Sequence, residues 1–255
     1  VRFFIDDYII HVNGKPDPVS DFNDINTELI LSDITTLENI TARITKSKTS
    51  EKEKNLLKEE VTKALDKLNS NKFLQKKDLE KVQEFFPDIK LLTQKPMFVI
   101  ANINENTSKQ EINDFIKSMP ENIKLVEVNV KVEIDLDELS EDEKKEFMEE
   151  FGIDESALSK IIKMGYSLLD LKTFFTSGEK ESRAWAAKKY FNAQECSGII
   201  HTDIQKGFIR AETVSYDEYI KSGSEQASKA NGVWRQEGKD YIVCEGDVIY
   251  FRFNI

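Results

Sequence analysis

The first third of the chain carries two hydrophobic stripes with a helical period. Each stripe places apolar or small residues at spacings of three and four, and a polar break at residues 47–50 separates them. The positions are Ile30, Ile34, Leu37, Thr41 and Ile44, followed by Leu57, Val61, Ala64 and Leu68. Two such stripes joined by a short polar turn predict an antiparallel, coiled-coil-like helical hairpin within residues 15–93. A third helix is predicted over residues 76–86, because Pro87 ends it.

A different pattern flanks this hairpin. Residues 1–5 and 97–101 are short continuous apolar runs, which are typical of buried strands in a parallel sheet. A helix is predicted over residues 109–119 and a second strand over residues 124–130, which together make a strand–helix–strand unit. Residues 140–170 are predicted to be helical. The beginning of the chain in a strand-like run, with Val1 rather than Met, favours a fragment whose N-terminal part is absent.

The last part of the chain, from Leu171 onward, changes to short strands and turns. Strands are predicted over residues 173–176, 207–214, 240–243 and 248–253, and short helices over residues 215–220 and 224–230. This pattern predicts a small α+β module of residues 171–255. The module holds 12 basic and 12 acidic residues, so the whole net charge of −11 lies in residues 1–170.

Composition then removes several classes of function. A net charge of −11 argues against a protein that coats nucleic acid or lies on an anionic membrane, since both need excess cations. No apolar run approaches the ~20 residues that a membrane span needs. Two cysteines without metal-ligand spacing, Cys196 and Cys244, predict a reduced, cytoplasmic protein in which both thiols are inert.

Several dispersed strings resemble one known family. The string IHTDIQKGFIRAE at residues 200–212, the string EGKDYIV at residues 237–243, and the GDV and FRFN strings near the end resemble signatures of the YchF, or Obg-like ATPase, family. The IIHVNG, NTEL and FFT strings that begin at Ile9, Asn26 and Phe174 resemble it too, so the likeness covers the whole chain.

The resemblance implies a fold in three parts. Residues 1–14 and 94–170 are expected to be the C-terminal part of an α/β P-loop NTPase domain, interrupted by the helical hairpin of residues 15–93. Residues 171–255 are expected to form a β-grasp domain of the TGS type. The resemblance also implies that the phosphate-binding loop, the switch regions and the Mg²⁺ ligands lie upstream of Val1.

The chain itself lacks the pattern that holds phosphates. A P-loop needs G-x-x-x-x-G-K-[ST], so that backbone amides cradle the phosphates while the Lys and the Ser or Thr reach phosphate and Mg²⁺. No such string occurs in the 255 residues. We therefore expect the longer protein to bind and hydrolyse ATP, or GTP less readily, as a regulatory switch, and this chain alone to be inactive.

The loop that would read the nucleotide base is present. Asn102-Ile103-Asn104-Glu105 directly follows an apolar strand, where GTPases carry N-K-x-D. The Lys and Asp positions hold Ile103 and Glu105, which disfavours the two-point grip of a carboxylate on guanine. Asn102 and the backbone of Ile103 are the expected adenine contacts, and Glu105 is a weaker one. The alternative is that these four residues only form a turn after a strand.

A second part of the base pocket is expected after the next strand. Asn129-Val130-Lys131 lies where GTPases place a small S-A-K loop against the base, so Val130 and Lys131 are candidate binding residues. Asn129 and Lys131 depart from the small residues of the family. An ordinary strand-end loop is the other reading of these residues.

His11 is the catalytic candidate. The resemblance implies that a histidine in the IIHV position replaces the glutamine that orients the attacking water in GTPases. Imidazole can orient water or accept a proton near neutral pH. The alternative is a surface or packing histidine. His201 lies beside Asp203 without a nucleophile, so it is interpreted as structural or as part of a partner surface.

Two further functions stay open at this stage. The β-grasp module is a candidate for binding RNA, the ribosome or a protein without catalysis, and neither a membrane nor DNA is an expected partner. If the module binds RNA or the ribosome, five of its basic residues are candidates for a local basic patch. The alternative is that these residues are scattered, solvated charges. They are Arg183, Lys188, Lys189, Lys206 and Arg210. A stable fragment without activity is the third reading.

Overall fold

A computed structural model of the chain describes residues 1–6, 8–178 and 181–254. It divides into two compact units, Val1–Ile161 and Ile162–Ile255, which are described separately below. Within those described ranges, no helix combines the length and the apolar character that a bilayer span requires.

Two long helices dominate the first unit. Helix α1 spans Pro18–Lys46 and helix α2 spans Glu51–Asn69. Helix α1 begins twelve residues before the first predicted stripe position, because Asp17 caps it and Pro18 suits the first helical position. Residues of both predicted stripes lie in one core, so α1 and α2 pack against each other. Its main members are Ile30, Leu37, Ile40 and Ile44 of α1 and Leu57, Val61, Ala64 and Leu68 of α2.

The chain after α2 returns across this core. A 3-10 turn at Lys76–Leu79 leads into helix α3 at Glu80–Phe85, close to the predicted helix over residues 76–86. The buried carboxylate of Asp33 on α1 then holds the returning segment. It accepts hydrogen bonds from the amides of Leu92 and Thr93, both at 2.8 Å, and from the Thr93 hydroxyl at 2.7 Å.

A small parallel sheet follows. Strand β1 (Phe98–Asn102) pairs in parallel with strand β2 (Lys124–Val128), and helix α4 (Lys109–Ser118) connects them. This confirms the predicted strand–helix–strand unit, although β2 ends two residues early. Phe115 of α4 makes edge-on ring contacts with Phe3 and with Phe22 of α1, so α1 contributes to the sheet core as well as to the hairpin core.

The predicted strand over residues 1–5 is shorter in the structure. Its only ladder position is Arg2, which pairs in parallel with Asn102. The backbone hydrogen bonds on either side still make this segment a third row beside β1.

Three helices complete this region: two of them lie within the stretch of residues 140–170 that is predicted to be helical, and the first precedes it and was not predicted. They are α5 (Val130–Asp137), α6 (Glu141–Glu150) and α7 (Ala157–Leu168), and the last crosses the boundary between the units. Gly152 adopts φ +63°, a conformation that favours glycine, just after the end of α6. The Glu133 carboxylate of α5 accepts hydrogen bonds from the first amides of α7 at Ala157 (2.7 Å) and Leu158 (3.2 Å).

The second unit is a five-stranded mixed sheet with short helices. The strand order is β4-β3-β7-β5-β6, and β3 and β7 pair in parallel while the other neighbours are antiparallel. The strands are β3 (Leu171–Ser177), β4 (Ser182–Lys188), β5 (Phe208–Ser215), β6 (Arg235–Glu237) and β7 (Asp247–Phe253). The helices are α8 (Ala193–Ile200), α9 (Thr202–Lys206), α10 (Tyr216–Ser222) and α11 (Glu225–Ala230).

The sequence reading of this unit was wrong at some elements. The strand predicted over residues 240–243 is a single bridge between Ile242 and Asn192. Strands β4 and β6 and helices α8 and α9 were not predicted. Helix α8 begins at a capping box formed by Asn192 and Glu195, a signal that the surrounding turn-like residues obscured.

The strings that resemble a family have structural roles in this unit. Gly207 accepts the amide of Asn254 at 2.9 Å, and an added Cβ would lie 2.0 Å from the Asn254 carbonyl oxygen, so no side chain fits there. His201 caps α9, since its Nδ1 accepts the Asp203 amide at 3.2 Å. The buried Asp247 accepts the Tyr241 hydroxyl at 2.7 Å.

Buried charges in this unit are held by several partners each. The ammonium of Lys172, whose pKa is lowered by burial, donates to the backbone carbonyls of Lys189, Phe191 and Val243.

The thiol of Cys196 is buried, and burial raises its pKa to about 11, as expected for an unreactive thiol. Cys244 is exposed.

Glu212 of β5 is a buried acid whose carboxylate binds two arginines, the partly buried Arg210 and the exposed Arg252. Its Oε1 accepts from Nη2 of Arg210 at 2.8 Å and from Nε of Arg252 at 3.0 Å. The hydrogen bond from Arg252 is the largest influence and lowers the pKa of Glu212, against the opposing effect of burial. The folded pKa therefore lies below that of the unfolded chain.

This difference makes the second unit sensitive to acid. Because the unfolded state takes up the proton first, the stabilisation is complete above the unfolded pKa of about 4.3 and is lost as the pH falls through the lower folded value. Glu212→Gln should lose less unfolding free energy between pH 7 and pH 3.5 than the unchanged chain. Urea titrations followed by the fluorescence of Trp185 and Trp234 measure this, with Asp217→Asn as the exposed control. An unchanged pH dependence in Glu212→Gln would contradict the argument.

Candidate functional site

The candidate site lies where the parallel rows of the first unit end. Asn102 is the last residue of β1, and its backbone is fixed from the Val1–Phe3 side. Its amide donates to the Val1 carbonyl at 2.8 Å, and its carbonyl accepts the Phe3 amide at 2.9 Å. On the other side, the Ile103 amide donates to the Val128 carbonyl at 2.8 Å. The backbone at this edge is therefore held by strands on both sides.

The side-chain oxygen of Asn102 has no hydrogen-bond partner among the described residues. Its Oδ1 is buried and accepts no hydrogen bond from any described residue. An unpaired buried amide oxygen costs about 1–3 kcal/mol, so native structures seldom keep one without a ligand or a water molecule to satisfy it. The geometry thus fits an external hydrogen-bond donor at Asn102.

The loop after Asn102 is organised by its own side chains. Oδ1 of Asn104 accepts the Asn106 amide at 3.0 Å and the Thr107 hydroxyl at 3.2 Å, which closes a tight turn. Ser108 and Glu111 then form a capping box that starts α4. Glu105 is exposed at the tip of this turn and no contact within the described ranges fixes its carboxylate.

The second predicted part of the pocket has a different local structure from the one expected. Val130 and Lys131 form the first turn of α5 rather than a strand-end loop. The reason is Asn129, whose Oδ1 accepts the Val132 amide at 3.3 Å and caps the helix. Both Val130 and Lys131 are exposed, and Val130 lines a cavity of about 1280 Å³ bounded by α5, α6 and the start of α7.

His11 lies in a loop that is laid against the start of α1. Its Nδ1 accepts the Asn13 amide at 3.3 Å, which assigns the ring proton to Nε2. Nε2 lies 3.0 Å from Oδ2 of Asp21 at an angle too poor for a hydrogen bond, and that oxygen is buried without a hydrogen-bond partner among the described residues. Both ring nitrogens therefore face protein groups.

Sequence reasoning missed three polar residues at this end of the unit. Asp21 contacts His11, while Arg2 pairs with Asn102 in the ladder and donates from Nη1 to the Ile9 carbonyl at 3.0 Å. Nε of Arg2 and Oδ1 of Asn26 are further buried atoms without partners in the described parts of the chain. The NTEL string contains Asn26 and was the available signal, although nothing in it indicated burial.

The described residues were also compared with the side-chain clusters that bind metal ions. No group of three or more His, Cys, Asp or Glu side chains that would suit a metal ion occurs within residues 1–6, 8–178 and 181–254.

The cations of the predicted basic patch in the second unit are mostly engaged. Arg210 pairs with Glu212, Lys189 lies 3.8 Å from Asp170, and Lys188 donates to the Leu169 carbonyl at 2.8 Å. The guanidinium of Arg183 lies over the Trp185 ring at 4.2 Å. Lys206 is exposed, and like Arg183 and Lys188 it forms no ion pair with a described acidic group.

Comparisons with known proteins agree on one family. The family model YchF-GTPase_C, described as a protein of unknown function (DUF933), matches residues 171–254. Curated relatives named "Ribosome-binding ATPase YchF" match the whole chain and 72% of their own length, with 42% identity in Bacillus subtilis and 39% in Haemophilus influenzae. The chain belongs to the YchF family.

Solved structures carry the same likeness. The Schizosaccharomyces pombe YchF GTPase is 28% identical, with a TM-score of 0.78 over 99% of this chain and 70% of that chain. A GTP-binding protein of Pyrococcus horikoshii is 17% identical with a TM-score of 0.58 over 96% of this chain and 75% of that one, which shows the fold alone. The family resemblance of the sequence is thus confirmed. The names of these relatives divide between ATPase and GTPase, so the choice of base rests on the site itself.

The contact between His11 and Asp21 is testable in this YchF-family chain. Asp21→Ala removes the carboxylate that faces the ring, so the ring and the loop that it supports should move more freely. We expect several-fold faster hydrogen exchange of the Asn13 and Gly14 amides, which donate to the Nδ1 and the carbonyl of His11. Glu28→Ala, an exposed acid on the same helix, is the control. Equal exchange in the two variants would show that Asp21 does not hold the ring.

Proposed function

We propose that this chain carries the base-recognition edge of a nucleotide-dependent switch protein that binds adenine nucleotides in preference to guanine nucleotides. The observation that carries the proposal is the buried, unpaired Oδ1 of Asn102 at the end of β1. The relatives named as ribosome-binding ATPases give the setting: an ATPase linked to the ribosome.

The chemistry of the amide supports adenine. An asparagine side chain offers one acceptor and one donor side by side, which matches the amino donor and ring-nitrogen acceptor on the N6/N7 edge of adenine. Guanine presents two acceptors on the same edge. The amide oxygen at Asn102 would then face an acceptor and remain unpaired, which costs binding free energy.

The neighbouring residues have graded roles in this proposal. The backbone of Ile103 lies beside Asn102 at the end of the sheet, where it can approach the edge of the base. Val130 and Lys131 contribute from the first turn of α5, with the Val130 side chain as an apolar wall. Glu105 contributes least, because its carboxylate is exposed at the tip of its turn.

The proposal extends to the division of the chain. Residues 1–14 and 94–170 belong to the nucleotide-binding domain, residues 15–93 are a helical insertion, and residues 171–255 are a β-grasp domain of the TGS type. The mixed sheet with its parallel pair β3 and β7 supports the last assignment. The triphosphate and its Mg²⁺ need groups that the 255 residues do not contain, so the chain alone does not turn over nucleotide.

His11 is the proposed water-orienting residue of the complete catalytic unit. Nδ1 becomes free to accept a proton, or to orient water, when the ring leaves the Asn13 amide. The almost fully exposed apolar side chains of Tyr8, Ile10 and Val12 support a loop that has not yet reached its working contacts.

Binding of nucleosides tests the base-recognition edge without any phosphate. Adenosine at millimolar concentration should shift the Ile103 amide signal in NMR spectra of this chain, and guanosine should shift it less. Asn102→Ala should weaken the adenosine effect at least about fivefold, because one hydrogen bond to a buried group is lost. Asn106→Ala, an exposed asparagine in the same loop, is the matched control. An adenosine response that survives in Asn102→Ala, or a stronger guanosine response, overturns the proposal.

Turnover tests His11 in a chimaera in which this chain replaces the matching 72% of the Bacillus subtilis relative. His11→Ala should lower the rate of ATP hydrolysis by about 10²–10⁴-fold while ATP binding stays the same, as expected for loss of a group that positions water or accepts a proton. His201→Ala, the other histidine, is the control. Unchanged turnover in His11→Ala removes this residue from the mechanism.

A further inference from the structure

The cavity bounded by α5, α6 and the start of α7 is an open groove of the first unit. Its volume is about 1280 Å³, and the residues that line it lie between Val128 and Ile161, so it belongs wholly to that unit. Ile134 and Leu158 are 56% and 62% exposed in it, although both are large aliphatic residues. Apolar side chains from all three helices line the groove: Ile134 and Leu136 of α5, Met148 of α6, and Leu158 and Ile161 of α7.

Helix α6 is a wall of this groove that the unit does not cover. None of its ten residues, all of them described, is buried. Phe147 of α6 stacks on Phe151 just after the helix, with 4.4 Å between the ring centroids, and Phe151 is itself exposed. Helices of folded domains normally bury an apolar stripe, and a large apolar surface that stays open marks a contact site. The groove therefore has the character of a docking surface.

The charge around the groove is strongly negative. Residues 130–155 carry twelve acidic and three basic residues, a net charge of −9, whereas the other 229 residues together carry −2. Glu141 lines the groove and lies 3.1 Å from the ammonium of Lys144. Four more exposed acids line it and are called the acidic rim: Asp137, Glu138, Glu149 and Asp154. Apolar walls with an acidic rim are complementary to a partner that carries apolar side chains between cations.

The same charge argues against the other occupants that this molecule suggests. Nucleotides, nucleic acids and anionic membranes all bring negative charge, which the rim repels. Val130 lines the groove and also belongs to the proposed base-recognition edge, but an acidic rim disfavours a triphosphate. The volume also exceeds the ~300–1,000 Å³ that is typical of small-molecule sites.

We propose that this groove binds a basic amphipathic helix of a partner protein. Helices that dock in apolar grooves insert side chains from positions i, i+3, i+4 and i+7. The apolar stripe of such a helix contacts Ile134, Met148 and Leu158, and its lysines and arginines face the acidic rim. The inference uses neither Asn102 nor a nucleotide, so it stands or falls separately from the proposed function.

Fluorescence anisotropy with a labelled model helix of about 18 Leu and Lys residues tests the groove in the full 255-residue chain. One peptide has Leu on a single helical stripe and Lys elsewhere, and a scrambled peptide of the same composition is its control. The chain should bind the striped peptide at least about tenfold more tightly, because only the stripe places the apolar side chains on one face.

Two matched double variants test the apolar walls. Ile134→Ser/Leu158→Ser should weaken binding of the striped peptide at least about tenfold, because both side chains become fully buried only in the complex. The control Ile25→Ser/Leu31→Ser changes the same residue types on α1 at 51% and 56% exposure, and it should stay within about twofold.

Two quadruple variants test the acidic rim. Asp137→Asn/Glu138→Gln/Glu149→Gln/Asp154→Asn should bind the striped peptide more weakly at about 50 mM salt and should lose most of the salt dependence, since exposed charges act through screened attraction. The control Glu28→Gln/Glu38→Gln/Glu84→Gln/Glu121→Gln removes four exposed acids elsewhere in the first unit and should keep that dependence.

A measurement on the unchanged chain covers the case of a variant that does not fold. The striped peptide should shift the methyl signal of Met148 in NMR spectra, because this side chain lines the groove. The methyl signal of Met119, which is buried in the sheet core, should stay in place.

Each other outcome overturns the inference. Equal binding of the two peptides, or equal losses within either pair of variants, means that overall charge alone attracts the peptide. Absence of binding by the unchanged chain removes the site, and an unshifted Met148 signal places the peptide elsewhere. Displacement of the peptide by ATP assigns the groove to the nucleotide. Loss of binding in the chimaera with the Bacillus subtilis relative assigns it to the additional segment of that relative.

Discussion

The free amide of Asn102 depends on how the backbone around it is paired. The Val1–Phe3 segment and β2 engage the main chain of Asn102 and Ile103 from two sides, so this position cannot shift to find a partner for its side chain. A buried amide oxygen that is fixed in this way remains available to a ligand. The rigidity of a three-row parallel edge thus produces the polar group that the proposed base recognition requires.

The same edge links the site to the loop of His11. Arg2 is the ladder partner of Asn102, and its guanidinium holds the Ile9 carbonyl two residues before His11. The ring of His11 then faces Asp21 on α1, which continues for 25 residues to its last residue, Lys46. The proposed base-recognition edge, the catalytic candidate and the hairpin are therefore connected through one short chain of contacts. Such continuity would let occupancy of the proposed base site influence the hairpin, provided that α1 has two arrangements.

Much of the fold was predictable because its hydrophobic periods are strong. The stripes of α1 and α2 and the apolar run of β1 predict their elements without tertiary information. The failures lie where local chemistry overrides the pattern. Asn129 caps a helix inside what looks like a continuing strand, and Asn192 with Glu195 starts α8 in a stretch that resembles a turn. Strand β4 is recognised only through its pairing with β3, which no local signal reveals.

The site was predictable only in part, for a related reason. A motif identifies Asn102 as a candidate, but burial of its oxygen and the lack of a partner are properties of the assembled unit. The roles of Arg2 and Asp21 arise from contacts between segments that are distant in sequence, so no spacing rule finds them.

The number of charged residues in the sequence is also a poor guide to which of them can bind phosphate. A count of cations cannot tell an arginine that is clamped to Glu212 from a lysine that is free in solvent, although only the second binds phosphate without first losing a partner. The zero net charge of residues 171–255 therefore says little about RNA binding, and neither does the −11 of the whole chain. Phosphate binding depends on which cations lack a neighbouring acid, and that is a property of the assembled structure rather than of the composition.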